Sequence, residues 1–248
     1  MNFTAKLMLV SLCVSVISAC DRNSNNDSVA AVPVAPAPPP PPVMQEFELE
    51  VVNLTNAQIL SPIALVSHES SYQLFSIGDT ASIGLEILAE GGDNTELLLE
   101  ASADDAVLQA ISGSGPVMPG ATDLISITIA ESALPGMRLS FATMLINTND
   151  AITAAHGLNI ENLEIGEAFT VSTLSYDSGT EANTEELGTI PGPADSGEGF
   201  NAERDDVIDI IRGHGGVVTQ DDGLMTSILN QNHRWDNPVA RVTIRRVL

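Results

Sequence analysis

Three carboxylates stand where turns could bring them together. YDSGTEAN, residues 176–183, sets Asp177 and Glu181 four residues apart around Gly179, and INTND, residues 146–150, ends in Asp150. Carboxylates drawn from two turns can hold a hard cation. Calcium takes about six to eight oxygen ligands at about 2.3–2.6 Å, from carboxylates, carbonyls and water. Neither stretch is an EF-hand loop, because NTNDAI and DSGTEA both lack the glycine which that loop needs at its sixth position. The remaining route is that of a β-sandwich, whose end loops bring carboxylates from different strands to one rim. Two readings follow. Either Asp150, Asp177 and Glu181 meet and bind Ca2+, or Asp150 and Asp177 each cap a turn, as aspartate often does.

No other constellation carries chemistry. The chain has no Gly-x-Ser-x-Gly elbow, no His-Glu-x-x-His, no phosphate loop and no dinucleotide fingerprint. GHGG at 213–216 is similar to one esterase oxyanion run, but it stands without the elbow. His68, His156, His214 and His233 are scattered without metal-ligand spacing and read as hydrogen-bonded loop residues. The sequence therefore points to no catalytic residues and to a protein that is not an enzyme.

The elements that must position the carboxylates are strands. EFELEVVNLT (46–55) alternates Phe47, Leu49 and Val51 with Glu46, Glu48 and Glu50, the pattern of a half-buried strand. PIALVSH, TDLISITIAES, MRLSFATML, EAFTVSTLSYD, DDVIDIIRG and NPVARVTIRRV read as further strands. Between Ile83 and about Ile111, IGLEILAEGG, TELLLEASAD and DAVLQAI carry Leu and Ala at helical spacing, and Asp93 or Thr95 stands ready as a cap. With no βαβ rhythm and no repeat, the expected fold is mainly β: an antiparallel β-sandwich with short helices in one long connection. The acidic, Gly- and Pro-rich run from Asp177 to Asn201 reads as a loop, of a length usually reserved for function or disorder.

Composition narrows the partners. The 248 residues carry 33 acidic against 9 basic side chains, a formal charge of −24, and Lys6 is the single lysine. Such a surface repels nucleic acid, which needs basic contacts to phosphate. It also repels anionic headgroups, so any membrane attachment must come from an anchor.

That anchor has a candidate. Residues 1–19 hold Lys6 and an apolar run from Leu7 to Ile17, shorter than the roughly 20 residues of a membrane span. VISAC resembles a bacterial lipobox, which implies cleavage before Cys20 and lipid on its thiol. Residues 20–45 are polar and then proline-rich, a semi-rigid spacer that favours polyproline II. Asp21 resembles an inner-membrane retention signal, so the expected location is the cell envelope, on the periplasmic face of the inner membrane or on the outer membrane. The only cysteines are Cys13 and Cys20, so no disulfide staples the remaining 46–248 domain.

Four stretches in order carry a family resemblance. The run FELEVVNLTNAQILSPIALVSHESSYQLFSIGDTAS, then MRLSFATMLINTND, YDSGTEAN and WDNPVARVTI, resembles the spondin domain of F-spondin and mindin, and covers the chain from Phe47 to its end. The resemblance implies a β-sandwich holding one calcium ion through Asp150, Asp177 and Glu181, where the animal proteins have aspartate at the last position. The animal loop also carries an aromatic where this chain has Ala151, so integrin and matrix recognition do not transfer. What the resemblance implies is a binding or adhesion module for a protein, glycan or matrix partner. The alternative is a structural envelope lipoprotein in which calcium only stabilises the fold.

Overall fold

The computed structural model describes residues 39–203 and 208–248. The chain divides into two units, Met1–Pro40 and Pro41–Leu248, and every element below belongs to the second. The expected signal segment, Cys20 and most of the spacer lie outside the described residues.

The described residues form nine strands: β1 (Met44–Asn53), β2 (Ala64–Glu69), β3 (Val107–Ser112), β4 (Thr122–Ala130), β5 (Met137–Met144), β6 (Ala151–Asn159), β7 (Ala168–Asp177), β8 (Arg212–Gly213) and β9 (Ala240–Arg246). They pair antiparallel in the order β3-β2-β5-β6-β7-β9-β1-β4, with β8 added to β7. The sheet curls into two layers because β7 belongs to both. Its first half, Ala168–Thr173, pairs with β9, and its second half, Leu174–Asp177, pairs with β6. The expected mainly β, sandwich-like fold is what the chain adopts. The free edges of β3 and β4 approach each other, and Gln109 Nε2 donates to the Thr128 carbonyl at 2.7 Å. That contact engages an edge carbonyl which would otherwise invite another chain.

Burial follows from this layering. Phe47, Leu49, Val51, Ile125, Ile127, Ile129, Val242 and Ile244 face Leu65, Leu139 and Phe141 across one aliphatic core. The second face of β2, β5 and β6 is covered as well. Two helices in the β2–β3 connection, α1 (Ile83–Gly91) and α2 (Thr95–Ser102), lay Leu85, Leu88, Leu97 and Ala101 on Ala64, Val66, Ala142 and Ile152. Strands covered on both sides lose the in-out alternation, and β5 and the start of β6 are buried at nearly every position.

The helix ends are punctuated, but the N-cap of α2 is Asn94 rather than the expected Asp93 or Thr95. The Ser82 hydroxyl accepts the Leu85 N–H at the start of α1, and Gly92 closes it in a left-handed conformation. Asp93 Oδ1 accepts the Thr95 N–H beside Asn94, the residue that caps α2. Two further local expectations need correction. DAVLQAI is not helical: Val107–Ser112 is strand β3, paired with β2 from Ala64 to His68. A short apolar run fits either period, and here the unpaired edge of β2 decides. DDVIDIIRG is not a full strand either, since of its described residues only Arg212 and Gly213 pair, against β7.

Candidate metal centre

The β5–β6 turn and the segment leaving β7 are neighbours by register. Ala151 of β6 pairs with Asp177 of β7, so Asp150 stands directly beside the chain as it leaves the strand. The turn is held from within and from both flanks. Thr148 donates its hydroxyl to the Leu145 carbonyl and accepts the Ala151 N–H. Gln58 bonds both the N–H and the carbonyl of Asn147. The 177–194 segment folds back over this turn, and Ala194 N–H donates to Asn147 Oδ1 at 3.0 Å. The three expected ligands are therefore interior: Asp150 is 0%, Asp177 4% and Glu181 3% exposed.

Asp150 organises its surroundings through one oxygen. Its Oδ2 accepts the N–H groups of Thr180 at 2.9 Å and Glu181 at 3.2 Å, and the Ser178 hydroxyl lies 3.0 Å away. Its Oδ1 is buried and has no hydrogen-bond partner. An unmatched carboxylate oxygen in the interior is costly. Burial, and then the charge of Asp177, push the Asp150 carboxyl up to about 6, against the pull of the Glu181, Thr180 and Ser178 hydrogen bonds.

Asp177 is better matched. Its Oδ1 accepts the Gly179 N–H at 2.9 Å, and its Oδ2 accepts from Asn183 at 2.8 Å and from Arg212 Nη2 at 2.9 Å. Gly179 adopts φ +74°, and a Cβ there would meet the backbone of Ile210 at 2.5–2.8 Å. The glycine therefore lets the 208–211 backbone lie against the loop.

Among the described residues, the acidic and histidine side chains that cluster as metal ligands are Asp150, Asp177 and His214, whose ligand atoms lie within 4.8 Å of one another. Glu181 is nearby but outside this group. Its backbone bonds Asp150, and its Oε1 accepts from Asn149 Nδ2 at 2.9 Å. Asn149 also accepts the backbone N–H of Glu185, so one amide ties the Glu181 side chain to the main chain of the loop.

Sequence reasoning missed Arg212 and His214. No spacing rule links them to Asp177. The link is the short β7–β8 pairing, which sets Arg212 opposite Asp177 and Gly213 opposite Tyr176. His214 is held as a neutral ring, for burial lowers its pKa, with Asp177 opposing and Arg212 adding to the shift. The Gly216 N–H donates to His214 Nδ1 at 2.9 Å, so Nδ1 is an acceptor and the proton sits on Nε2, 3.3 Å from Asn183 Oδ1. Both ring nitrogens are thus engaged, and the donors left for an ion are carboxylate oxygens.

The chain matches no protein-family model and no curated protein.

Proposed function

We propose that this chain is an exported, lipid-anchored, calcium-binding module similar to the spondin domains, which binds a partner at the cell envelope. The observation that carries the reading is the buried Oδ1 of Asp150, without a partner and beside a second carboxylate. The donors fit a hard cation. Asp150, Asp177 and Glu181 carry three formal negative charges against the one positive charge of Arg212, which leaves room for a divalent ion. With His214 engaged on both sides, the set offers oxygen rather than nitrogen, and oxygen is calcium's preference over zinc's. A bound ion would supply charge neutralisation and would fix the 145–150 turn against the 177–185 segment.

These loops are buried, so the ion serves the partner surface by ordering it rather than by forming it. If calcium does nothing beyond this, the chain is a structural envelope lipoprotein, the second reading. The anchor is proposed at Cys20, and Cys20→Ser is expected to leave an unlipidated precursor that no longer partitions into detergent.

Thermal unfolding tests the calcium reading. A ligand specific to the native state stabilises it by about 2.7 kcal/mol at a hundredfold excess over Kd. For a domain of this size that is a rise of roughly 5–10 °C in Tm over a chelator control. Magnesium should do much less, because it demands a tighter octahedron and sheds water reluctantly. Equal stabilisation by calcium, magnesium and matched sodium chloride would mean screening of an acidic surface, and the reading would fail.

A further inference from the structure

The single tryptophan of the chain, Trp235, lines an open cleft of about 420 Å³ together with Thr55, Asn56, Gln231, Arg234 and Asp236. That volume lies within the range of small-molecule sites. The half-buried indole is fixed on its inner side. Its N–H donates to the Ser175 hydroxyl at 3.1 Å, and the ring packs on His214 at 5.3 Å between centroids. With its one polar atom engaged, the ring can offer the cleft only carbon, a surface for stacking.

The polar groups around that ring both accept and donate. Asn56 donates one amide N–H to the Asn232 carbonyl and Gln231 donates one to Asp222 Oδ1, so each amide keeps its carbonyl oxygen to accept and a second N–H to donate. Asp236 is exposed, and no described residue hydrogen-bonds or ion-pairs its carboxylate. Arg234 is the one cation of the lining, and the 2.7 Å bond from its Nη1 to Asp222 Oδ1 pins it. An apolar stacking ring bordered by both acceptors and donors suits a ligand with hydroxyl groups, which do both, on its edge and C–H groups on its face. Three facts narrow the class. Asp236 and a chain charge of −24 oppose an anion. Arg234 opposes a cation, and one aromatic ring does not make a cage for one. A purely apolar guest would leave the acceptors without partners.

We propose that this cleft binds a neutral saccharide, with a sugar ring on the Trp235 face, ring hydroxyls donating to the Asp236 carboxylate, and Arg234 donating to a ring or hydroxyl oxygen. The inference rests on the reading of the chain as a binding module and does not require the buried ion. It also gives that ion a purpose. Gln58 joins the Asn147 turn to the 231–236 segment that carries the cleft, through the His233 carbonyl at 2.9 Å, and His214 joins the acidic centre to the indole.

Because Trp235 is the only tryptophan, its emission reports the cleft directly. The full chain, in calcium, is titrated with neutral trisaccharides of glucose, galactose, mannose and N-acetylglucosamine, with a sulfated disaccharide as the anionic control. At least one neutral sugar should give a saturable change in emission. Asp236→Ala should weaken its binding about tenfold or more while leaving the melting temperature in place, and Trp235→Phe should weaken binding in calorimetry while the fold persists. No saturable change with any neutral sugar, a change only with the sulfated one, or undiminished binding by Asp236→Ala would each overturn the proposal. Calcium-dependent melting, read separately, keeps the failure of this site distinct from failure of the calcium reading.

Discussion

The carboxylate of Asp150 and the main-chain N–H of Thr180 meet at 2.9 Å, which binds the β5–β6 turn to the loop leaving β7 through a side chain with no solvent contact. The contact uses Oδ2 and leaves Oδ1 without a partner beside Asp177. An asparagine can keep the acceptor at the Thr180 and Glu181 amides while removing the charge. In chelator, Asp150→Asn should therefore melt higher than the wild type, by about 1–3 kcal/mol if the carboxyl is held near 6. Calorimetric melts in chelator check this. A lower Tm for the variant would show that the buried charge is already compensated and that no cation is needed there.

Gly179 is the hinge of the acidic loop. At φ +74° and with the Ile210 backbone inside the volume of a Cβ, Gly179→Ala must displace either the loop or the 208–211 segment. The left-handed backbone alone costs about 1 kcal/mol for alanine, and the overlap adds to it. The expected result is a loss of at least tenfold in calcium affinity with a cooperative unfolding transition preserved. Wild-type calcium affinity in this variant would remove the loop from the account.

Glu185 gives a pH dependence independent of the proposed ligands. It is 2% exposed, its Oε1 accepts the Val218 N–H, and its Oε2 has no partner. Burial raises its pKa from 4.5 to about 7, against the Val218 hydrogen bond. A carboxyl raised in the folded state favours folding while it stays protonated. Its contribution is present below about pH 4.5 and is lost as pH rises toward 7, a change on the order of 3 kcal/mol. Between pH 5 and 8, wild-type stability should fall relative to Glu185→Gln, as followed by urea denaturation. Parallel pH profiles for the two proteins would contradict this.

The outer halves of the fold were legible in the sequence because their strands are covered on one face only. Phe47, Leu49 and Val51 in β1 and Ile125, Ile127 and Ile129 in β4 alternate with solvated residues and announce themselves. β6 did not, since AITAAHGLN is small-residued, and its first four positions are buried between the second layer and the helices. β3 was hidden by the shared spacing of Leu and Ala in VLQAIS. At the site, Asp150 and Asp177 were legible as strand-end acids. Arg212 and His214 were not, because only the two-residue β7–β8 pairing brings them there.

Arg212 competes with any ion for Asp177, at 2.9 Å from Oδ2. Replacing it with glutamine removes a positive charge beside the carboxylate proposed as a ligand. Arg212→Gln is expected to bind calcium roughly three- to tenfold more tightly, with a lower Tm in chelator. Weaker calcium binding would show that Arg212 positions Asp177 more than it competes for it.

Calorimetric titration of the wild type, Asp177→Asn and His214→Gln with calcium and, separately, with zinc tests the central claim most directly. The account predicts one calcium per chain in the wild type, no binding by Asp177→Asn, calcium binding by His214→Gln within about threefold of wild type, and no tight zinc site. Absence of calcium binding, calcium binding undisturbed in Asp177→Asn, or a tight zinc site that vanishes in His214→Gln would contradict it.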